Sequence, residues 1–173
     1  AENTVISVFN NYFGGGMGSL VFQTIRESKA LAYSTYGFYV FPRKKADKYY
    51  MMAYVGAQAD KFVEAVAAMN ELLTTMPELP ANLDLAKVQL KKEIQTERIT
   101  QDDIIYDYIK AKDLGLNEDI RKTIYQNLDN ISMKDIRTFH DTYLSKKPYT
   151  YVVLASEEKL SKEELQKIGE FRK

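Results

Sequence analysis

The chain has 173 residues, 45% hydrophobic and 28% charged, with 24 basic residues balanced by 24 acidic ones. That length favours one domain, burying about 70% of the surface an unfolded chain exposes, and neutrality removes the simplest case for a nucleic-acid partner. The lack of cysteine excludes disulfides, thiolate metal sites and a cysteine nucleophile, while a single histidine, His140, argues strongly against a self-contained zinc hydrolase site and leaves a Ser-His-Asp triad only one possible base.

From Glu2 to Phe13 the apolar residues Val5, Val8, Phe9, Tyr12 and Phe13 recur at helical spacing. Gly14, Gly15 and Gly16 stop that helix, offering φ > 0 and no packing side chain. Ser19 is a plausible N-cap for a second helix over Leu20 to Lys29, carrying Leu20, Phe22, Ile25 and Arg26. Tyr33 to Phe41 and Lys48 to Ala57 are rich in aromatic and β-branched residues and read as strands, joined across the polar stretch Pro42 to Asp47 into a hairpin. Asp60 is placed to cap a helix striped by Phe62, Val66, Met69, Leu73 and Met76, ended by Pro77 and Pro80. A long helix with Leu83, Ala86, Leu90 and Ile94 on one face follows, then one opened by Thr100 with Asp103 and closed at Gly115. Ile120, Ile124 and Leu128 mark a short helix, and Ser132 with Asp135 opens another carrying Ile136, Phe139, Tyr143 and Leu144. Tyr149 to Ala155 reads as a third strand, and Ser161 with Glu164 as the start of a last helix to Ile168.

This pattern is that of an α+β domain, with helices packed on one face of an antiparallel sheet. Three strands make a thin sheet for so many helices. The chain opens at Ala1, without Met, directly in helical periodicity, so it reads as cut from something longer, with a strand missing upstream. No stretch approaches the 18 or more apolar residues of a membrane span, and the opening residues do not read as a signal peptide.

The run Gly14-Gly15-Gly16-Met17-Gly18-Ser19 matches neither phosphate-loop spacing and follows a helix where those loops follow a strand. On residue chemistry alone it is a tight interhelical turn where backbones approach closely. Its surroundings are more specific. The stretch Phe13-Gly-Gly-Gly-Met-Gly-Ser-Leu-Val-Phe-Gln-Thr-Ile-Arg26-Glu27-Ser-Lys-Ala-Leu31-Ala32-Tyr33-Ser34 closely resembles a signature of the pitrilysin/insulinase family of zinc peptidases, which includes mitochondrial processing peptidase. Thr96-Glu97-Arg98 and Lys112-Asp113-Leu114-Gly115 are similar to the long exported bacterial members, which suggests an exported, periplasmic or cell-envelope location.

The resemblance implies a metallohydrolase-like α/β sandwich, here lacking its first strand, as one domain of a two-halved clamshell. In that family one half holds zinc through H-x-x-E-H, whose Glu is the general base, plus a distant Glu. Nothing here matches H-x-x-E-H. The signature present belongs to the other half, whose Arg and Tyr reach across to the substrate backbone with the spacing that Arg26 and Tyr33 have. The resemblance therefore makes Arg26 and Tyr33 the catalytic and substrate-binding residues, with zinc expected in a partner half of the same protein or in a separate subunit. A peptide or protein is the implied substrate. A strand such as Tyr33 to Phe41 is also suited to pairing with an extended peptide. The competing reading is a catalytically inactive scaffold homologue within a larger assembly, and a third is an unrelated peptide-binding module sharing only the glycine turn.

The remaining polar features carry bland readings. Glu27 is a solvated or structural charge, and His140 a helix-end residue in ordinary solvent contact. Arg43-Lys44-Lys45 and Lys146-Lys147 are solvated basic turns, and the Asn130-Ile131-Ser132 triplet is discounted because Ser132 is committed to a helix cap.

Overall fold

The structure, a computed structural model, describes residues 2–156 and 158–170. The helix α1 (Glu2–Phe13) is its centre, packed by the hairpin strand β1 (Ser34–Val40) and by the helices α3 (Pro80–Thr96), α5 (Ile120–Asn127) and α6 (Met133–Tyr143). Its burial exceeds the predicted stripe: Ile6, Thr4 and Ser7 are enclosed along with Val8, Phe9, Tyr12 and Phe13. Such all-round burial marks a core helix rather than a surface one.

Tyr12 shows how that core is tied to what surrounds it. Its hydroxyl donates to the Pro77 carbonyl at 2.7 Å and accepts the Leu79 N–H at 3.0 Å, fixing the proline turn between α2 (Phe62–Thr74) and α3. Burial pushes the phenol above its usual pKa, the Leu79 N–H opposing that rise. Replacing Tyr12 by Phe leaves both backbone groups without this partner, and a loss of about 1–3 kcal/mol in urea unfolding is expected. An unchanged midpoint would show that the turn is held by something else.

Among the described residues the sheet has two strands. β1 pairs antiparallel with β2 (Tyr50–Gly56), from Ser34 opposite Gly56 to Val40 opposite Tyr50. Thr35, Gly37 and Tyr39 face the helices and are buried. The other face carries Tyr36 stacked on Tyr54 at 5.0 Å, with Tyr50, Met52 and Tyr54 exposed. Helices on one face of an antiparallel sheet are thus present as expected.

The third strand is not. Tyr149 to Ala155 forms no ladder, and Val152 and Leu154 stand in solvent. A strand needs an open edge, and α1 takes the outer edge of β1. The Asn10 side-chain amide donates to the Tyr39 carbonyl at 3.0 Å and accepts the Tyr39 N–H at 2.7 Å, in place of a neighbouring strand. Tyr149 and Tyr151 instead bond the Leu144 carbonyl and the Asn70 side chain, tying their segment to helices.

Local helix signals hold more often than they fail. Capping boxes at Thr100–Asp103, Ser132–Asp135 and Ser161–Glu164 open α4 (Gln101–Asp113), α6 and α7 (Lys162–Gln166). Gly115, at φ +70°, closes α4. Asp60 does not cap: α2 is entered through a 3₁₀ turn, Ala59–Lys61, that places Asp60 inside the turn. No helix among the described residues is long and apolar enough to cross a membrane.

Candidate functional site

The glycine turn joins α1 to the site and explains its own composition. A Cβ on Gly14 would lie 2.2 Å from the Gly37 carbonyl oxygen and 2.3 Å from its nitrogen, so the turn lies directly against the backbone of β1. The expected close approach is real, but none of the glycines from 14 to 18 adopts positive φ. Bare backbone, not the left-handed region, is what this turn requires. Ser19 then locks its far end, donating from Oγ to the Gly16 carbonyl at 2.7 Å and accepting the Phe22 N–H at 3.4 Å.

The helix that follows is wider than an α-helix. Phe22–Ser28 is a π-helix, in which the Lys29 N–H bonds the Thr24 carbonyl, five residues back, at 3.0 Å. The expected α-helix over Leu20 to Lys29 is corrected accordingly. Ala30, at φ 48°, reverses the chain, and the Leu31 N–H reaches back to the Ile25 carbonyl at 2.9 Å. Ile25 and Leu31 are buried and anchor this closure from within. Short π segments are rare and recur at functional sites.

That reversal brings the two predicted site residues together. The Arg26 guanidinium carbon lies 5.9 Å from the centre of the Tyr33 ring and 4.8 Å from that of Phe22. Tyr33 is held by its backbone, whose N–H bonds the Gly56 carbonyl at 2.8 Å, while the residue as a whole is 87% exposed. Arg26 is also exposed, with Glu27 Oε1 3.7 Å from its Nε. An ion pair that open and that long contributes little. Chemically the pair offers a forked cationic donor and a phenolic O–H donor on one solvent-facing surface, both suited to carbonyl oxygens.

Other candidates separate from this surface. His140 is completely buried rather than in solvent contact, because α6 packs its ring against α2: Nε2 lies 3.3 Å from the Leu72 carbonyl and Nδ1 3.3 Å from Asp141 Oδ1. Both ring nitrogens are thus taken up by groups of the protein, and the residue serves the core. Pairing of β1 with an extended peptide along its length is obstructed, since Asn10 holds Tyr39 and Gly14 lies on Gly37. Among the described residues no three His, Cys, Asp or Glu side chains are placed to hold a metal, so these residues do not fit a zinc ion.

One charge cluster escaped the sequence reading. Arg121 gathers Glu97 at 2.9 Å, Asp107 and Asp119, joining α3, α4 and α5 beside a shallow cavity of about 260 Å³. The hydrogen bond from Arg121 holds the Asp119 carboxyl below its usual range. These carboxylates are committed to one cation, and the cluster is read as structural.

Comparison with known proteins places this architecture. The family profile described as Peptidase M16 inactive domain matches residues 1–90, which include the glycine turn, Arg26 and Tyr33. An uncharacterized zinc protease of Bacillus subtilis, YmxG, is 35% identical over 69 residues, covering 40% of this chain and 16% of its own length. The fold is similar to the crystal structure of a peptidase M16 inactive domain from Pseudomonas fluorescens, with TM-score 0.67 and 17% identity, covering 83% of this chain and 34% of that one. It is also similar to a protease from Helicobacter pylori, with TM-score 0.59 and 15% identity, covering 82% and 34% respectively. The chain thus spans only a fraction of each of these relatives. Because the profile accounts for more than half of its residues, the chain belongs to the Peptidase M16 inactive-domain family, the inactive C-terminal domain of a zinc protease family.

Proposed function

We propose that this chain is the substrate-binding domain of a zinc-dependent metalloendopeptidase, in which Arg26 and Tyr33 grip the peptide backbone while zinc and the general base come from another domain or subunit. The observation that supports this reading is the exposed meeting of a guanidinium and a phenol across the Ala30 reversal, in a chain with no metal-holding cluster among its described residues. Arg26 donates to backbone carbonyls of bound peptide, and Tyr33 donates to the carbonyl oxygen that gains charge during hydrolysis. Neither contact reads a side chain, so the pair positions peptides of many sequences.

The test uses the full-length parent protein with its zinc-bearing half. Arg26→Ala is expected to raise KM for unfolded casein at least about tenfold, the scale of a charge-assisted hydrogen bond, with zinc content unchanged by metal analysis. A KM indifferent to Arg26→Ala would favour the scaffold reading, and loss of zinc would show that Arg26 acts through the fold.

A further inference from the structure

A guanidinium on a flexible stem must be held before it can grip anything, because ordering a free arginine costs rotamer entropy. The ways of holding it are not equivalent. A carboxylate holds arginine by occupying its in-plane N–H donors, whereas an aromatic face attracts the cation from above and leaves those donors free for another acceptor. Arg26 shows both kinds of neighbour, and the Phe22 ring lies under the guanidinium itself: its centre is 4.8 Å from the guanidinium carbon, one turn back on the π-helix. Phe22 is half-buried, and its backbone N–H is bonded to Ser19 Oγ, which fixes the start of the π-helix that carries the ring. The Glu27 carboxylate stands at 3.7 Å, on a side chain that is itself half exposed.

Resting on the reading of Arg26 as a substrate-binding residue, we infer that Phe22 is its positioning residue. The ring holds the guanidinium beside Tyr33 with its terminal N–H groups free for the peptide backbone, while Glu27 stands off its Nε at 3.7 Å. Phe22 touches no substrate in this account and acts only through Arg26.

The test is a double-mutant cycle in the full-length parent, with KM and kcat measured on unfolded casein and thermal midpoints measured alongside. Phe22→Leu keeps an apolar side chain of similar reach and removes the ring. It is expected to raise KM about two- to fivefold, the scale of one exposed cation–π contact, with kcat unchanged. Phe22→Tyr, which keeps the ring, restores the parent KM. In an Arg26→Ala background, Phe22→Leu adds nothing further. If Phe22→Leu leaves KM unchanged, or if its effect persists without Arg26, the inference is overturned while the reading of Arg26 stands. If the parent shows no turnover, or Arg26→Ala leaves KM unchanged, the reading itself fails and the inference falls with it.

Discussion

In the full-length parent protein, Tyr33→Phe is expected to lower kcat on unfolded casein by about 2–4 kcal/mol of transition-state stabilisation, roughly 30- to 1000-fold, the scale of one oxyanion donor. The substitution deletes one oxygen and leaves the ring in place. Tyr33 is 87% exposed, and what fixes its position is a main-chain bond from its N–H to the Gly56 carbonyl, which Phe keeps. Stability should therefore stay within about 0.5 kcal/mol of the parent. KM should move far less than kcat, because the phenol is asked to hydrogen-bond an oxygen most strongly when that oxygen gains charge. Arg26→Ala should show the opposite division, since a permanent cation grips carbonyls in the ground state as well. The two substitutions thus separate on one instrument. Turnover of Tyr33→Phe equal to the parent's would remove Tyr33 from the chemistry, and an equal rise in KM would make it a second gripping residue.

The sequence made Arg26 and Tyr33 legible as a pair, yet not the means by which they meet. Whether a helix is α or π turns on a one-residue shift of its hydrogen bonds, and here that shift is set by where Ile25 and Leu31 seat in the core. No local pattern encodes those seats. Phe22 lay inside the quoted motif, but nothing in the order of residues marks a ring as supporting a cation rather than filling the core. The three capping boxes were readable because each is closed within four residues by its own side chains. The burial of His140 was not, because the carbonyl it meets is 68 residues away in sequence. The misplaced third strand has the same origin: strand propensity in Tyr149 to Ala155 says nothing about whether an edge is free, and Asn10 of α1 had already taken one at Tyr39.

Within the glycine run, the same substitution at two positions should give opposite results. Gly14→Ala is expected to cost about 3 kcal/mol or more in urea unfolding, and Gly16→Ala to be neutral or slightly stabilising. At Gly14 the new Cβ meets backbone on β1, 2.2 Å from an oxygen and 2.3 Å from a nitrogen. Neither side can yield cheaply. Gly14 is bonded to the Asn10 carbonyl at 3.1 Å at the end of α1, whose Tyr12 and Phe13 are fully buried, and Gly37 is fixed in the ladder with β2. At Gly16 the new Cβ meets the Gln89 side-chain amide at 3.0 Å, the far end of a flexible chain that can swing aside. Neither position has positive φ, so alanine brings no backbone strain and only narrows the unfolded ensemble. Equal costs at both sites would mean that the run is required by conformation rather than by the approach of α1 to β1. The contrast also bears on the site, because the strand that Gly14 lies against begins one residue after Tyr33, and the turn it opens leads into the helix carrying Arg26. A parent protein with Gly14→Ala that still folds should therefore lose the register between guanidinium and phenol, and with it both the KM advantage and the kcat advantage assigned to them.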